Sequence, residues 1–338
     1  MTLTQLGAFV LTARLGSVKD AAKALGVSEP AVSQAITALR QQLGDQLLVR
    51  DGTGMRLTAA GARLLPVASQ MVALGAEAQA AVRVAQGLPE QLRLVTTSVL
   101  AEFIAAPLLE AFTRRHSGGV ASSSAASGGG AGVRATVDAA AEVAATAEMP
   151  VLIASRLADL ALGPRLAVPD SPGEGGESSP ALVSEPVFKY RLVTVASPRC
   201  RPRGPASGWR WLVDPSGTDP GSDVGRLLHA AGVPESQVSV FPNQTAAWAA
   251  AADGSGVAPA VAHLVSHQVR RGELCVLDLP PAETCWYATT LSRDRRAGVA
   301  GSLRRFLGTP EAMQLMREPG GGVPVSRFRP PVYVTIWS

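Results

Sequence analysis

The sequence is poor in aromatic residues, in lysine and in cysteine, and these shortages limit its possible functions. Aromatic side chains make up 4% of the 338 residues, and lysine and cysteine occur three times each. No apolar run approaches the roughly 20 residues that cross a bilayer, and no charged-then-apolar leader opens the chain, so we expect a cytoplasmic protein without membrane contact. The cysteines form no CxxC pair and are expected to be idle thiols, although a redox pair of Cys275 and Cys285 stays open.

The sequence also lacks the motifs that indicate catalysis. It contains no GxSxG, no phosphate-binding P-loop and no GxGxxG in front of a helix. His263 and His267 are four residues apart on a predicted helix, a spacing that suits a metal ion, but no third ligand follows at a recognisable spacing. We therefore expect no enzyme, no catalytic residue, no cofactor and no metal, and interpret both histidines as packed or surface side chains.

The positive charge of the chain is concentrated near its start. The formal net charge is +4, and residues 1–66 hold seven basic against four acidic side chains. A local excess of this kind favours an acidic partner such as nucleic acid, although it is modest for a single copy of the chain.

Residues 17–44 have the pattern of two short helices joined by a tight turn. Ser17 is a candidate N-cap and Gly26 ends the first helix, while the second opens at Ser28 with Pro30 in its first turn. The side chains expected in the core repeat at helical spacing: Ala21, Ala22, Leu25, Val32, Ile36, Leu39 and Leu43. This pattern is typical of a helix-turn-helix, whose second helix enters the major groove of DNA; a generic helical pair is the alternative.

The second helix and the Gly-rich turn after it carry the candidate DNA contacts. Short polar side chains suit base edges, since Gln pairs with adenine and Ser with several bases. Glu29 is ambiguous, because a carboxylate there either accepts from cytosine or repels phosphate. Arg50 and Arg56 flank the turn and suit phosphates, which position a protein without reading sequence. The predicted DNA-binding residues are Ser17, Lys19, Ser28, Glu29, Pro30, Ser33, Gln34, Thr37, Arg50, Thr53 and Arg56.

A single long helix is predicted over residues 58–85, with Thr58 as its cap. Apolar or small residues repeat along it at alternating spacings of four and three, the pattern of a coiled-coil seam: Leu64, Ala68, Met71, Gly75, Ala78, Val82 and Ala85. We predict a homodimer through residues 61–89, whose two heads would read double-stranded DNA at a two-fold symmetric site. Packing of the helix on the chain's own second domain is the alternative.

From residue 90 onward, strand-like segments alternate with helical ones. The predicted strands are 92–97, 159–163, 190–197, 209–214, 238–242, 256–260, 273–279 and 285–292, and the predicted helices are 98–116, 221–231, 245–253, 260–270 and 298–307. This alternation predicts an α/β domain with mostly parallel strands. Such a domain binds its ligands at the carboxyl ends of the strands.

Hydroxyl and amide side chains cluster where three predicted strands meet their helices. Together with free amides at a helix start they suit a carboxylate or another small anion, and an ordinary helix cap is the alternative for each cluster. We therefore predict a small-molecule effector with these candidate contacts: Thr97, Ser98, Ser216, Thr218, Asn243 and Thr245.

Residues 6–50, which read LxxFVxxARxGSVxxAAxxLGVSxPAVSQxIxxLxxxLGxxLLxR, resemble the DNA-binding head of the LysR-type transcriptional regulators. The RLTAAG segment at 56–61 extends the resemblance, and residues 92–112, 158–163 and 190–292 resemble the effector-binding domain of that family more loosely. The resemblance implies an α/β protein overall: an all-α winged helix-turn-helix, a long linker helix and a two-subdomain α/β effector-binding domain. It also implies a homo-oligomer, usually a tetramer.

The resemblance divides the chain into a DNA-binding domain (1–60), a linker helix (61–89), an effector-binding domain (90–310) and a C-terminal extension (311–338). Within the effector-binding domain, it places subdomain I at about 90–163 and 280–310 and subdomain II at about 164–279. Two segments depart from the family, a Gly/Ser/Ala tract at 117–132, expected to be a flexible loop, and an acidic insertion at 170–186. Because the tract replaces a strand and loop, Thr136 is the candidate for the second cleft-lining turn of subdomain I.

We therefore expect a sequence-specific DNA-binding transcription regulator that a small-molecule effector controls from a cleft between two subdomains. The alternative is a constitutive or architectural DNA-binding protein whose cleft no longer binds a ligand.

Overall fold

Three short helices and a two-stranded wing form the N-terminal head. The structure is a computed structural model and describes residues 1–51, 54–119, 136–166, 182–292 and 298–319. The elements of the head are α1 (Leu3–Leu15), α2 (Val18–Leu25), α3 (Glu29–Leu43), β1 (Leu48–Asp51) and β2 (Gly54–Leu57). This order is that of a winged helix-turn-helix, as the sequence predicts.

The predicted caps set the bounds of α2 and α3. The Ser17 hydroxyl accepts the N–H of Asp20 at 3.3 Å, and the Ser28 hydroxyl caps α3 in the same way. Both helices end at glycines with positive φ. Val32, Ile36 and Leu39 are buried as predicted. Leu43 is exposed instead, because residues 41–44, the last turn of α3 and its cap, lie outside the core.

The long helix α4 (Ala59–Ala85) begins after its cap Thr58, as predicted. Its predicted seam is divided between two environments. Ala68 is fully buried in the head, and Gly75 lies so close to Leu3 of α1 that a Cβ there would be 2.5 Å from the leucine methyl. These two seam positions face the chain's own head. The sequence pattern instead predicts either a second copy of the helix or the chain's second domain as the partner.

The predicted seam positions Met71, Ala78 and Val82 are exposed and form an apolar surface with two further residues, Val67 and Leu74. Leu74 is 63% exposed and Val67 50% exposed, unusually high for large aliphatic side chains. We call this surface the α4 apolar face, and its members recur at helical spacing: Val67, Met71, Leu74, Ala78 and Val82.

A second domain, of the α/β class, follows α4. Its helices are α5 (Ser98–Leu100), α6 (Ala106–Gly119), α7 (Met149–Ala154), α8 (Asp223–Ala230), α9 (Gln244–Ala252), α10 (Ser266–Arg270), α11 (Gly298–Leu307) and α12 (Pro310–Arg317). Its strands are β3 (Glu90–Thr96), β4 (Val137–Val143), β5 (Leu160–Gly163), β6 (Leu182–Ala196), β7 (Trp211–Val213), β8 (Val238–Val240), β9 (Ala258–Val261), β10 (Cys275–Val276) and β11 (Ala282–Leu291).

The main sheet is mixed rather than mostly parallel, which corrects the prediction. Its order is β10-β6-β11-β5-β3-β4, with β9 also paired to β6. Strand β3 is parallel to β4 and β5, whereas β6 and β11 are antiparallel to each other and to their remaining neighbours. The reason is that β6 and β11 are long strands that run in opposite directions between the two subdomains. Alternating β and α elements along the sequence do not reveal such crossings.

Some elements were missed by the sequence patterns. Strand β4 has an exposed pattern of small and acidic residues, and α7 and α12 are short. The helix predicted at 260–270 is only α10, because residues 262–265 form a turn. The predicted helix at 98–116 is interrupted by a π-helical turn, Ala101–Ala105. Helix α12 packs on α6 and α11, with Met316 fully buried.

Subdomain I also contacts the head. Val151 of α7 and Leu157 in the following loop pack against the apolar core of the head. Arg156 in the same loop forms an ion pair with Glu77 of α4. The N-terminal head, the linker helix and subdomain I therefore share one packed junction.

Candidate DNA-binding surface and effector cleft

The outer face of α3 is polar and exposed. Ser33, Gln34 and Thr37 are exposed on it, as are Glu29 and Pro30 in its first turn. The hydroxyl of Thr37 donates to the carbonyl oxygen of Ser33 at 2.8 Å, so Thr37 can offer a base only acceptor lone pairs and its methyl group. The face thus combines one amide, the hydroxyl of Ser33, apolar surface and, in the first turn, the carboxylate of Glu29. Its amide, hydroxyl and apolar groups suit base edges in a major groove.

The wing places its two cations on neighbouring strands. Arg50 pairs in register with Met55, and Arg56 with Val49, and both arginine side chains are exposed. Thr53, the remaining predicted contact of the wing, lies outside the described residues.

Backbone and side-chain hydrogen bonds hold the wing against the helices. The N–H of Met55 donates to the carbonyl of Gly16 at the end of α1, at 3.2 Å. Arg40 of α3 donates to the carbonyl oxygens of Gln46 and Leu48, at 2.7 and 2.6 Å. The recognition helix and the wing are therefore one rigid unit.

Three further predicted contacts lie beside this unit. Lys19 is exposed in the first turn of α2. The hydroxyls of Ser17 and Ser28 accept backbone N–H groups of their own helices, so each caps a helix and keeps its proton for another acceptor.

The turn between α3 and the wing is hydrogen-bonded to the start of α4. The carboxylate of Asp45 accepts the N–H of Leu47 at 2.6 Å and the hydroxyl of Thr58 at 2.8 Å. These two hydrogen bonds, the backbone one first, lower the pKa of Asp45 below its ordinary value. The charged carboxylate therefore stabilises the turn from which α4 starts.

We expect this carboxylate to make the stability of the head dependent on pH. Because the folded-state pKa lies below the unfolded one, its contribution is present above about pH 4 and is lost as the pH falls through the folded-state pKa. Asp45→Asn should therefore lower the stability of the head at neutral pH, and the difference from wild type should shrink in acid. Amide hydrogen exchange of residues 3–51 measures it. The matched control is Asp253→Asn, which removes an exposed carboxylate in the second domain. The assignment is contradicted if Asp253→Asn lowers the stability of the head equally, or if the loss in Asp45→Asn does not depend on pH.

A cleft lies where the two subdomains meet. The empty space in and around it, including open solvent at its mouth, is about 470 Å³. Thr97 enters it from the end of β3, and Tyr190 and Trp286 enter it from the long strands β6 and β11. Subdomain II contributes Ser216, Asp223, Gln244 and Trp248 among others.

The predicted effector contacts divide into three groups. Thr97 and Ser216 line the cleft. Ser98, Asn243 and Thr245 lie at helix starts beside it: the hydroxyl of Ser98 donates to Asp214, Asn243 caps α9, and the hydroxyl of Thr245 donates to Glu102. Thr218 and Thr136 lie elsewhere.

Two of these predictions are corrected by the geometry. Thr218 is exposed, and its hydroxyl donates to the carbonyl of Pro215. Thr136 precedes β4, and because β4 is parallel to β3, it lies at the edge of the sheet away from the cleft. The turn at the carboxyl end of β4 contains Thr146, whose N–H donates to Asp219 of subdomain II at 2.6 Å. Thr146 therefore occupies the cleft-side turn that was predicted for Thr136.

The aromatic and acidic residues of the cleft were not found from the sequence. Tyr190 and Trp286 have ring centroids 4.6 Å apart. Burial, the nearby charge of Asp223 and the hydrogen bond to it raise the pKa of Tyr190 far above its usual range, so the phenol stays protonated and donates to that carboxylate. The alternating pattern of β6 and β11 marks these side chains as strand residues, but only the pairing of the two strands brings them together.

The histidines and cysteines have no shared site. His263 lies before α10, its Nε2 is 2.9 Å from the carbonyl oxygen of Met316, and burial lowers its pKa. Cys275 pairs in register with Ala196 on one edge of β6, and Cys285 lies on the other edge, seven positions along. Seven residues of a strand span about 23 Å, whereas a disulfide needs Cα atoms within about 7 Å, so the redox-pair alternative is wrong.

Neither a metal site nor a membrane-spanning helix is found in the part of the chain that the structure describes. There, no group of three or more His, Cys, Asp or Glu residues is placed to hold a metal ion. None of the helices described is long and apolar enough to cross a membrane. Residues 120–135, 167–181 and 320–338 lie outside the described residues, so the expectations for the 117–132 tract, for most of the 170–186 insertion and for the end of the extension are not addressed by the structure.

The fold and its two surfaces define a transcription regulator with a winged helix-turn-helix head and a ligand-binding domain. Residues 3–62 match the model of the bacterial regulatory helix-turn-helix proteins of the lysR family, and residues 137–309 match the LysR substrate binding domain. An uncharacterised HTH-type transcriptional regulator of Mycobacterium tuberculosis is 31% identical in an alignment 348 residues long, which covers 100% of each chain. The regulator CbbR of Xanthobacter flavus is 28% identical, over 95% of this chain and 91% of its own.

A solved structure agrees with this fold. A full-length AphB variant superposes with a TM-score of 0.54 at 17% identity, and the match covers 91% of this chain and 98% of that chain. The chain belongs to the LysR family of transcriptional regulators. It is a DNA-binding regulator with an effector-binding domain, and not an enzyme.

Proposed function

We propose that the chain binds a two-fold symmetric DNA site as a homodimer and that a small molecule in the cleft controls this binding. The observation that carries the proposal is the exposed polar face of α3, fixed beside a wing with two exposed arginines. In this proposal the domains divide as the sequence suggests, with the head reading DNA, residues 61–89 forming the dimer, and the protein acting in the cytoplasm.

Base reading is assigned to the central residues of α3. Gln34 is an exposed side chain near the middle of the outer face, and its amide can pair bidentately with adenine. Ser33 and Thr37 flank it on the same face and are assigned shorter contacts. Arg50 and Arg56 are assigned to phosphates, which set the position of the head on the duplex without reading sequence.

These two roles predict different losses on mutation. Gln34→Ala is expected to weaken binding to the preferred site by about 1–3 kcal/mol and to relax base preference at one position in each half-site. Arg56→Ala, its matched control, should weaken binding to specific and random DNA alike. It should also lower the slope of log affinity against log salt concentration by about one. Titrations of both variants against specific and random duplexes, at several salt concentrations, measure the two effects. Equal losses on both duplexes for Gln34→Ala contradict its role in base reading.

The α4 apolar face supports the dimer. Two such faces packed together would remove the exposed Val67, Met71 and Leu74 from water, and the small Ala78 allows a close approach. A tetramer is the assembly that the family implies, and the described residues offer no separate argument for it.

Selection of fragments of the source organism's DNA by the purified chain tests the proposal. A symmetric motif is the expected result, since dimer symmetry is mirrored in the site. Recovery of DNA without a motif would favour the architectural alternative. Ligand control is tested separately, because a ligand that binds only the folded protein raises its stability by mass action.

A further inference from the structure

Carboxylates of the protein already accept hydrogen bonds from each of the three clusters that were predicted to hold an anion. Glu102, on the π-helical turn, accepts the first two backbone N–H groups of α9 at 3.0 and 3.1 Å. The hydroxyls of Ser98 and Ser216 both donate to Asp214, which is fully buried. A carboxylate ligand would compete with these groups and be repelled by them, so the geometry argues against the anionic effector that the sequence suggests.

The charges of the residues that line the cleft also argue against an anionic ligand. The described residues that line it include no lysine, arginine or histidine, and their one carboxylate is Asp223. Arg226 pairs with that carboxylate but is half-exposed and is not a lining residue. An anion would enter without a counter-charge, at a large desolvation cost. A cation would lie near the Asp223 carboxylate, which already accepts hydrogen bonds from Tyr190, Thr284 and Arg226.

Among the described residues that line the cleft, one buried side-chain polar atom has no hydrogen-bond partner. Gln244 is 1% exposed, and its Nε2 donates to the carbonyl oxygen of Pro259 at 2.9 Å. That bond fixes the amide so that Oε1 is the remaining acceptor, and within the described residues Oε1 receives no hydrogen bond. A buried acceptor without a donor is unfavourable, and a ligand N–H placed there would satisfy it.

The walls of the cleft are aromatic. Tyr190 and Trp286 lie against each other, and Trp248 of subdomain II is stacked on Phe103, with their ring centroids 5.3 Å apart. Indole and phenol faces attract cations and stack on flat apolar groups.

We propose that this cleft binds a small organic cation, an ammonium or amidinium group on a flat apolar body, that donates an N–H to Oε1 of Gln244. The assignment rests on the proposed function, because it gives a chemical class to the effector of the same cleft.

Three probes with the same ring and different charge test it on the full-length protein: benzylammonium, benzyl alcohol and phenylacetate. Calorimetric titration and the thermal midpoint with each probe give the order of affinity. We expect benzylammonium to bind most tightly, benzyl alcohol more weakly and phenylacetate not measurably.

A variant then tests the contact itself. Gln244→Met keeps the side-chain length and removes the unpaired acceptor, while the carbonyl of Pro259 keeps the indole N–H of Trp248 as a donor at 3.1 Å. The variant should lower the affinity for benzylammonium by roughly 10- to 100-fold, because a hydrogen bond to a charged group is lost. The thermal midpoint of the ligand-free protein should not fall. Gln314→Met makes the same change on the exposed side of α12 and should leave affinity unchanged.

The order of the three probes on the wild-type protein decides the matter even if Gln244→Met fails to fold. The assignment is overturned if phenylacetate or benzyl alcohol binds as tightly as benzylammonium does. That result would leave the proposed regulator intact. Absence of binding by all three probes also overturns the assignment. The proposed function fails on a separate result, the lack of a symmetric motif in the DNA selection.

Discussion

Gly61→Ala is expected to destabilise the head by about 3 kcal/mol and to lower DNA binding accordingly. A Cβ on Gly61 would lie 2.1 Å from the carbonyl oxygen of Leu47 and 3.0 Å from its carbonyl carbon. Overpacking usually costs about 1–3 kcal/mol, and this case lies at the upper end because the obstructing atoms belong to the backbone.

The backbone of Leu47 is also held in place and cannot move aside. Its N–H donates to Asp45, its carbonyl accepts the N–H of Thr58 at 3.0 Å, and its φ of 58° is already in the left-handed region. Movement of this turn would displace α4 from the head, since Gly61 lies in the first turn of α4.

Gly7→Ala is the matched control for this substitution. Gly7 lies inside α1, and nothing lies within 4 Å of the Cβ that the substitution would add. Alanine there should stabilise the helix by about 0.5–1 kcal/mol. Amide hydrogen exchange of the peptides within residues 3–43 of the full chain gives both values. If Gly61→Ala exchanges as slowly as Gly7→Ala, the close contact at Leu47 is refuted.

Leu74→Glu is expected to dissociate the dimer and to weaken binding to a complete symmetric site by roughly 100-fold or more. Leu74 is the most exposed large aliphatic residue of the α4 apolar face, so a carboxylate there would be buried without a partner in the dimer. Loss of the dimer removes the gain of binding two linked half-sites, which amounts to about 10²–10⁴ in affinity. Affinity for a single half-site should not change.

Gln79→Glu adds the same charge on another side of α4 and is the control. Sedimentation of each variant gives the oligomeric state, and titration against full and half sites gives the affinities. A Leu74→Glu variant that sediments as a dimer and binds the full site normally would place the dimer contact elsewhere.

Local signals in the sequence predicted the DNA-binding half of the molecule. The caps at Ser17, Ser28 and Thr58 and the terminal glycines act within three or four residues, and the structure places each helix of the recognition motif where these signals lie. Apolar spacing on α3 identified its buried face apart from Leu43, since that face is set by helical geometry.

The cleft could not be predicted to the same depth. Glu102 and Thr245, which share a hydrogen bond, are 143 residues apart in the chain, and Tyr190 and Trp286 meet only because β6 and β11 pair. The prediction at Thr136 missed Thr146 because the Gly/Ser/Ala tract, and the small and acidic residues of β4 after it, give no strand pattern that marks the carboxyl end of β4.

The sequence by itself thus determined the helix-turn-helix, its caps and the long linker helix, because each depends on neighbours one helical turn away. Tertiary structure alone decided the mixed sheet, which side of α4 stays exposed, and the acidic and aromatic lining of the cleft. The physical reason is that strand pairing and helix packing join side chains whose separation along the chain carries no local signal.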